Sequence, residues 1–342
     1  MSTWCYLPNW CFLFVLLLPT RYALSQETAH IPSVFEHLTQ TANPQLTIDL
    51  DLTYLMHNRK DFDYQKAALK VDASGETFGV EIRIRGKYRL KFGEVPPLKL
   101  KFKKKGLAEK GLDTLNEIKL VLPMRTDAKG EEMLLREYAA YRMFEHLSPF
   151  AFRARLVQLR LRDTEVPTNI LVMKAILLEH DEELCARLHA VEVDSFGIQP
   201  TALQPEQAAL VSLFEYMIGN TDWDIASVRN VKLLRTEGQE KLVVVPYDFD
   251  FSGFVDAPYA VPSTESGLRN VRDRSLMAQG IDVEYLLRAV EVFKARKEPI
   301  MSVCMLEGLR KSAVNDMLNY LNGFYKRVDD SNISPKTING FR

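Results

Sequence analysis

The feature that most limits how this chain can fold is a change in the period of its apolar residues. In the first half they alternate or run continuously over strand lengths, at residues 46–52 (LTIDLDL), 78–85 (FGVEIRIR), 98–102 (LKLKF) and 118–122 (IKLVL), with Gly, Pro and Lys clusters between. Alternation turns one face of each segment toward a core and marks strands. A twisted antiparallel sheet is the expectation here. Residues 131–147 then switch to helical spacing, with Leu134, Tyr138, Tyr141 and Glu145 along one side. Two further strands are expected at 154–161 (ARLVQLRL) and 169–178 (NILVMKAILL). Beyond Pro205 the pattern is helical over 206–218, 283–296 and 307–328. A hairpin-like pair interrupts it, 230–234 and 241–245, around Thr236-Glu237-Gly238-Gln239. The chain therefore reads as α+β, with a β-rich part over residues 26–178 and a mainly helical part over 179–342. No repeat or low-complexity linker separates them, so they read as lobes of one unit.

With 342 residues, 46% hydrophobic and 26% charged, the chain can bury a sizeable core and is not a disordered tail. Its formal charge of −1 gives no global field for nucleic acid or an anionic membrane. The string KLKFKKKGLAEK from Lys99 is basic, and its lysines read as a solvated guard at a strand edge rather than a phosphate track. Four cysteines exclude a disulfide scaffold, and the sequence has neither an HExxH pair nor a CxxC. Near the N-terminus, residues 10–18 (WCFLFVLLL) are continuously apolar but span about half of the ~20 residues a membrane helix needs. Ala23-Leu24-Ser25 then places small residues at the −3 and −1 positions before Gln26. Residues 1–25 are expected to be a cleaved secretory signal, with an uncleaved anchor or a buried N-terminal helix as the alternatives, leaving an exported chain, periplasmic or extracellular, with no stable membrane insertion after cleavage. Cys5 and Cys11 would leave with it. Cys185 and Cys304 would remain, either paired or as two buried thiols.

The residues that can carry chemistry concentrate in 219–253. A helix ending in Met217-Ile218 runs into Gly219-Asn220-Thr221-Asp222-Trp223-Asp224. Asn230 opens one strand, and the next delivers Pro246-Tyr247-Asp248-Phe249-Asp250-Phe251-Ser252-Gly253. Two adjacent strands thus carry an Asn at one mouth and two carboxylates at the other. Such hard oxygen donors suit Mg²⁺ held through phosphates, because that ion keeps waters and takes only one or two carboxylates. An Asp shortly before the Asn can accept the proton of an attacking hydroxyl. On a strand, Asp248 and Asp250 would face one side, and the pair alone could equally hold structural Ca²⁺ or be solvated. Glu137, between Leu134 and Tyr141 on its helix, needs a cationic partner. Lys119 on the preceding strand is the candidate, with a tyrosine hydroxyl or Arg142 as the plain alternative. Lys99 and Lys101 compete with Lys119 as phosphate contacts.

Together these words resemble the spore-coat protein H (CotH) kinase-like family and, more distantly, HipA-type kinases. The stretch GNTDW…N…PYDFDFSG carries the resemblance. It is joined by IRIRGKYR at 82–89, PPLKLKF at 96–102, IKLVLP at 118–123 and LLREYAAYRMFEHLSPFAFRARLV at 134–157. The resemblance is to secreted bacterial members and covers residues 45–330. It implies a bilobal protein-kinase-like fold, and Mg²⁺ (or Mn²⁺) with ATP for phosphotransfer to a hydroxyl of an unidentified secreted or envelope protein. By position it implies Asp222 as the base, Asn230 and Asp248 as metal ligands, and Asp250 as a second acidic ligand or a loop-fixing acceptor. Lys119 would contact the nucleotide phosphates and pair with Glu137. Arg85 with Gly86 would stand in for the glycine-rich phosphate loop. Glu179 would face the nucleotide at a hinge, or simply be the first polar residue of a helix.

Two departures bear on activity. Asp222 precedes Asn230 by eight positions where kinase catalytic loops have five, which makes Asp224, six before Asn230, a rival base. No GxGxxG word occurs. The alternative is a non-catalytic kinase-fold surface or assembly protein that binds metal or nucleotide. A metal-dependent hydrolase built on the acidic pair would lack its usual histidines.

Overall fold

Apolar residues alternate inward along β3 (Thr77–Ile84), β4 (Leu98–Phe102) and β6 (Ala154–Asp163). With β1 (Gln45–Leu50), β2 (Gln65–Val71), β5 (Glu117–Val121) and β7 (Ile170–Leu178) they close into a barrel in the order β1-β2-β3-β4-β5-β7-β6. The computed structural model describes Met1 and residues 30–86, 89–90 and 93–329. Contacts divide the chain after Ile31, and Pro32–Arg342 form one unit. The expected signal segment, beyond Met1, lies outside the described residues. Among the described residues no helix is long and apolar enough to cross a membrane.

Ile48, Leu50, Ile82, Leu100, Ile118, Leu159 and Leu161 fill the barrel. Its strands pair antiparallel except β1 and β6, which run parallel from Gln45 opposite Gln158 to Leu50 opposite Asp163. That pairing leaves neither strand as an open edge. It buries Leu46 and Ile48 beside Leu159 and Leu161. Helix α1 (Val34–Leu38), opened by a Ser33–Glu36 capping box, adds Val34 and Phe35 to the same core. Short helices α2 (Leu52–His57) and α3 (Lys104–Glu109) complete this part.

The bilobal kinase-like arrangement expected above, a twisted antiparallel sheet joined to a mainly helical lobe, is not what the chain forms. The β-rich part is a closed barrel of mixed strand direction. The later part holds its own sheet, β8 (Ala190–Glu192), β9 (Val231–Thr236) and β10 (Val243–Pro246), in the order β10-β9-β8. Residue period reports which face is buried but not which distant strand pairs with which, so closure by β1 and β6 was invisible to it. The edge reading of the lysine run also fails. β4 lies between β3 and β5, Lys99 Nζ meets Glu117 Oε2 at 2.6 Å, and Lys101 lies over the Tyr64 ring.

The remaining helices are α4 (Ala128–Leu147), α5 (Asp181–Arg187), α6 (Pro205–Ile218), α7 (Val283–Ala295), α8 (Lys297–Ser302) and α9 (Lys311–Val328). Helix α4 is buried on most sides, because Met133, Tyr141 and Phe144 pack in one core with Val121, Ile176 and Leu178 of the barrel and Phe214 of α6. This places α4 against β6 and β7 of the barrel on one side and against α6 and the turn after β10 on the other. Cys185 and Cys304 are free thiols. Burial pushes the Cys304 thiol up to about 12, so it packs as a small apolar side chain.

Candidate functional site

Helix α6 ends at Gly219, whose φ of 65° and ψ of 37° are left-handed. A Cβ there would collide with the Tyr320 hydroxyl, so only glycine turns the chain at this point. The next residue is pinned from both sides. Asn220 Nδ2 donates to Glu215 Oε2 at 2.9 Å, and Asn220 Oδ1 accepts from the Asp222 N–H at 2.9 Å. Glu215 is fully buried, and that burial holds its carboxyl well above the usual range. The turn therefore fixes where Asp222 begins.

Asn230 is also left-handed, at φ 53°, a conformation its short polar side chain tolerates. Its Nδ2 donates to Asp222 O at 2.6 Å and Asp222 Oδ2 at 3.0 Å. Its Oδ1 has no hydrogen bond to a described residue. Burial raises the Asp222 pKa, against the pull of Arg229 and with help from Asp248. Arg229 Nε lies 3.6 Å from Asp222 Oδ1.

Strand β10 ends in Pro246, and Phe249 between the two acids packs against Tyr141 and Phe214, with ring centroids at 4.7 and 5.3 Å. Asp248 is left-handed, φ 65° and ψ 65°, and its N–H donates to the Tyr141 hydroxyl at 2.9 Å. A 3₁₀ turn follows at Phe249–Phe251, so the two acids are not alternate residues of a strand as expected. They sit in different surroundings. The Asp248 carboxylate makes no hydrogen bond or ion pair with a described residue. Asp250 is buried, and its Oδ2 accepts from Arg89 Nε at 3.1 Å and Tyr259 Oη at 3.0 Å. Burial pushes the Asp250 carboxyl up to about 6, with Arg89 opposing and Asp248 adding to the rise.

Asp222, Asn230, Asp248 and Asp250 line one cavity of about 350 Å³ together with Arg85, Gly86, Arg89, Pro97, Val121, Arg229 and Phe251. Arg85 makes no ion pair with a described residue. Gly86, at φ 82°, has nothing nearer its missing side chain than Pro97 at 3.9 Å, so backbone is open to close approach there. Among the described residues no three His, Cys, Asp or Glu side chains come together in a metal-binding group. Asp248 and Asn230 Oδ1 are hard oxygen donors of the kind Mg²⁺ takes when its other ligands are phosphate and water.

Other expected site residues lie elsewhere. Lys119 and Glu137 do not pair. Lys119 Nζ meets Asp181 Oδ1 at 2.5 Å, over the Phe152 ring, and Glu137 Oε2 takes Arg89 Nη2 at 2.5 Å. The reason is reach. Arg89 arrives between α4 and the loop after β10, where its planar fork pairs with Glu137 Oε2 and Asp250 Oδ2 at once, while α5 offers Asp181 to Lys119. Burial lowers Lys119 to about 8, although Asp181 opposes it. Burial likewise raises Glu137 to about 7 against the pull of Arg89. Glu179 is fully buried and both its oxygens serve Arg153 and Arg187, at 2.8–3.0 Å, so it ties β7 to α5 and does not line the cavity. Asp224 does not line it either. Its backbone pairs with Arg229, and its Oδ1 accepts from the Ser227 N–H at 2.6 Å. Arg89 was not singled out from sequence, although it ends the IRIRGKYR word and a buried Glu137 demands a cation.

No protein-family profile and no curated protein matches the chain. Among solved structures it is similar to the Helicobacter pylori proinflammatory kinase CtkA, at 11% identity and a TM-score of 0.41, over 70% of this chain and 94% of that one. A likeness so remote assigns neither activity nor substrate.

Proposed function

We propose that the cavity binds a nucleoside triphosphate with Mg²⁺ or Mn²⁺ and transfers a phosphoryl group to a hydroxyl of a protein substrate. The observation that carries this reading is the convergence of Asp222 and Asn230, from the segment between α6 and β9, with Asp248, from the turn after β10, on one cavity that also holds Arg85. Asp248 and Asn230 Oδ1 would hold the ion, which neutralises phosphate charge when bound. Asp222, desolvated and oriented by Asn230 Nδ2, accepts the proton of the incoming hydroxyl. Arg85, with no ion-pair partner among the described residues and beside the open backbone of Gly86, supplies positive charge to the phosphates. Asp250 is held by Arg89 and Tyr259 and serves to fix the loop that presents Asp248.

The test is incubation of the purified chain with γ-labelled ATP and Mg²⁺ or Mn²⁺. Autophosphorylation that disappears in Asp248→Ala is expected, and no label transfer under either metal would remove the reading. One observation favours a second reading, a protein that binds metal and nucleotide without turnover. Lys119, the lysine expected at the phosphates, is occupied by Asp181. Thermal stabilisation by Mg²⁺ and ATP in the absence of label transfer would select it.

A further inference from the structure

Arg89 faces the same cavity as Asp222, Asn230 and Asp248, and its side chain is only 11% exposed. Burying a guanidinium is costly unless its donors are used. Two groups are used internally, Nε by Asp250 at 3.1 Å and Nη2 by Glu137 at 2.5 Å. These bonds tether the fork to α4 on one side and to the loop after β10 on the other. The Nη1 group makes no hydrogen bond to a described residue. Lys119 is as buried but does not line the cavity, and its ammonium is turned to Asp181.

We propose that Arg89, rather than Lys119, is the fixed cation that contacts the phosphate oxygens of the ligand in this cavity. The inference rests on the polyphosphate reading of the site and adds the residue that recognises the anion. A guanidinium clamped through Nε and Nη2 is oriented before the ligand arrives, so little side-chain entropy is lost when Nη1 meets an anion. Its charge is offset by the two carboxylates behind it, of which Glu137 is pushed up to about 7 by burial. The guanidinium stays protonated at every working pH, and its Nη1 donors remain to be filled whatever the charge of the carboxylates behind it.

The test uses inorganic tripolyphosphate with Mg²⁺, titrated calorimetrically into the full chain, so that its outcome does not depend on ATP turnover. Arg89→Lys keeps the charge but cannot bridge two acids and a phosphate. Its affinity should fall about tenfold or more, the range expected for losing a charge-assisted bond. Arg89→Met combined with Glu137→Gln removes the charge, neutralises Glu137 and leaves Asp250 its Tyr259 hydroxyl donor, and should bind more weakly still. Lys119→Met and the exposed Lys104→Met should stay within about threefold of the parent, a change too small for a lost direct contact. A purely structural clamp would lower the melting temperature of the Arg89 variants and leave tripolyphosphate affinity intact, which would overturn the proposal. So would a parent chain that takes up no tripolyphosphate, or a Lys119→Met loss larger than that of Arg89→Lys. If tripolyphosphate binds through Arg89 but labelled ATP transfers nothing, the inference stands and phosphotransfer falls.

Discussion

Because Gly219 is left-handed and its missing side chain points at the Tyr320 hydroxyl, Gly219→Ala adds both backbone strain and a collision. The expected cost is about 1–3 kcal/mol, read as a lower melting temperature. Turnover should fall as well, since this turn positions Asn220 and through it Asp222. The two candidate bases separate more sharply. Asp222→Asn keeps an acceptor for Asn230 Nδ2 but removes the proton acceptor, so turnover should drop by about 10²–10⁴-fold with nucleotide affinity little changed. Asp224→Asn should change turnover by no more than about twofold, because Asp224 is outside the cavity. The reverse pattern would transfer the role to Asp224. That Asp222, Asn230 and Asp248 meet on one cavity was legible because an Asp, an Asn opening one strand and an Asp ending the next lie close in sequence order. Arg89 was not, because its position between Glu137 and Asp250 is created only when α4 and the loop after β10 meet.

The element that joins barrel and site is α4. Its Tyr141 hydroxyl accepts the N–H of Asp248, and its Glu137 takes Arg89, so one helix face sets both the carboxylate and the cation. Tyr141→Phe preserves the ring against Phe249 and removes only the acceptor. Leaving that backbone N–H unpaired should cost about 1–3 kcal/mol, and should shrink the stabilisation by Mg²⁺ with ATP more than Tyr138→Phe does. Equal ligand-induced shifts in both variants would mean Tyr141 does not hold Asp248. Elements were read from sequence where burial follows a clean period. β3, β4 and β6 alternate strictly over most of their length, and α6 carries a long helical run. β2 was missed because only Leu69 of its seven residues is fully buried, leaving no alternation to see. β8 was missed because three residues are too few to show a period.

At the scale of the molecule, closure of the barrel was not written in any local pattern, because it depends on β1 finding β6 across seven intervening described elements of chain. What the whole fold does impose is an unusual set of buried ionisable groups, and their summed titration makes a prediction. Burial raises Glu137 to about 7 and Glu183 to about 7, and holds Glu215 well above its usual range. Each binds a proton in the folded chain at pH values where the unfolded chain has released it. Their contribution is therefore fully present below about pH 4.5 and is lost as pH rises toward and through 7. His180 acts in the opposite sense. Burial lowers it to about 4, so stability rises with pH as the unfolded imidazole loses its proton between 4 and 6.5. Glu137, Glu183, Glu215 and Asp250, the last raised to about 6, oppose His180 and His146, which burial also lowers, so the net slope between pH 5 and 7 is downward. Below pH 4, Asp163, held down to about 2 by its hydrogen bonds against burial, and Asp181, held down by Lys119, give up their stabilisation. Above 8, Lys119 sheds its proton in the fold before the unfolded lysine does, and stability recovers in part. The melting temperature of the ligand-free chain should therefore peak near pH 5, fall toward 7 and flatten or rise beyond 8. Glu183→Gln, neutral at every pH, should shallow the decline between 5 and 7. A melting temperature that climbs from pH 5 to 7, or a slope unchanged by Glu183→Gln, would show that these carboxyls are ionised in the folded chain at no cost to its stability.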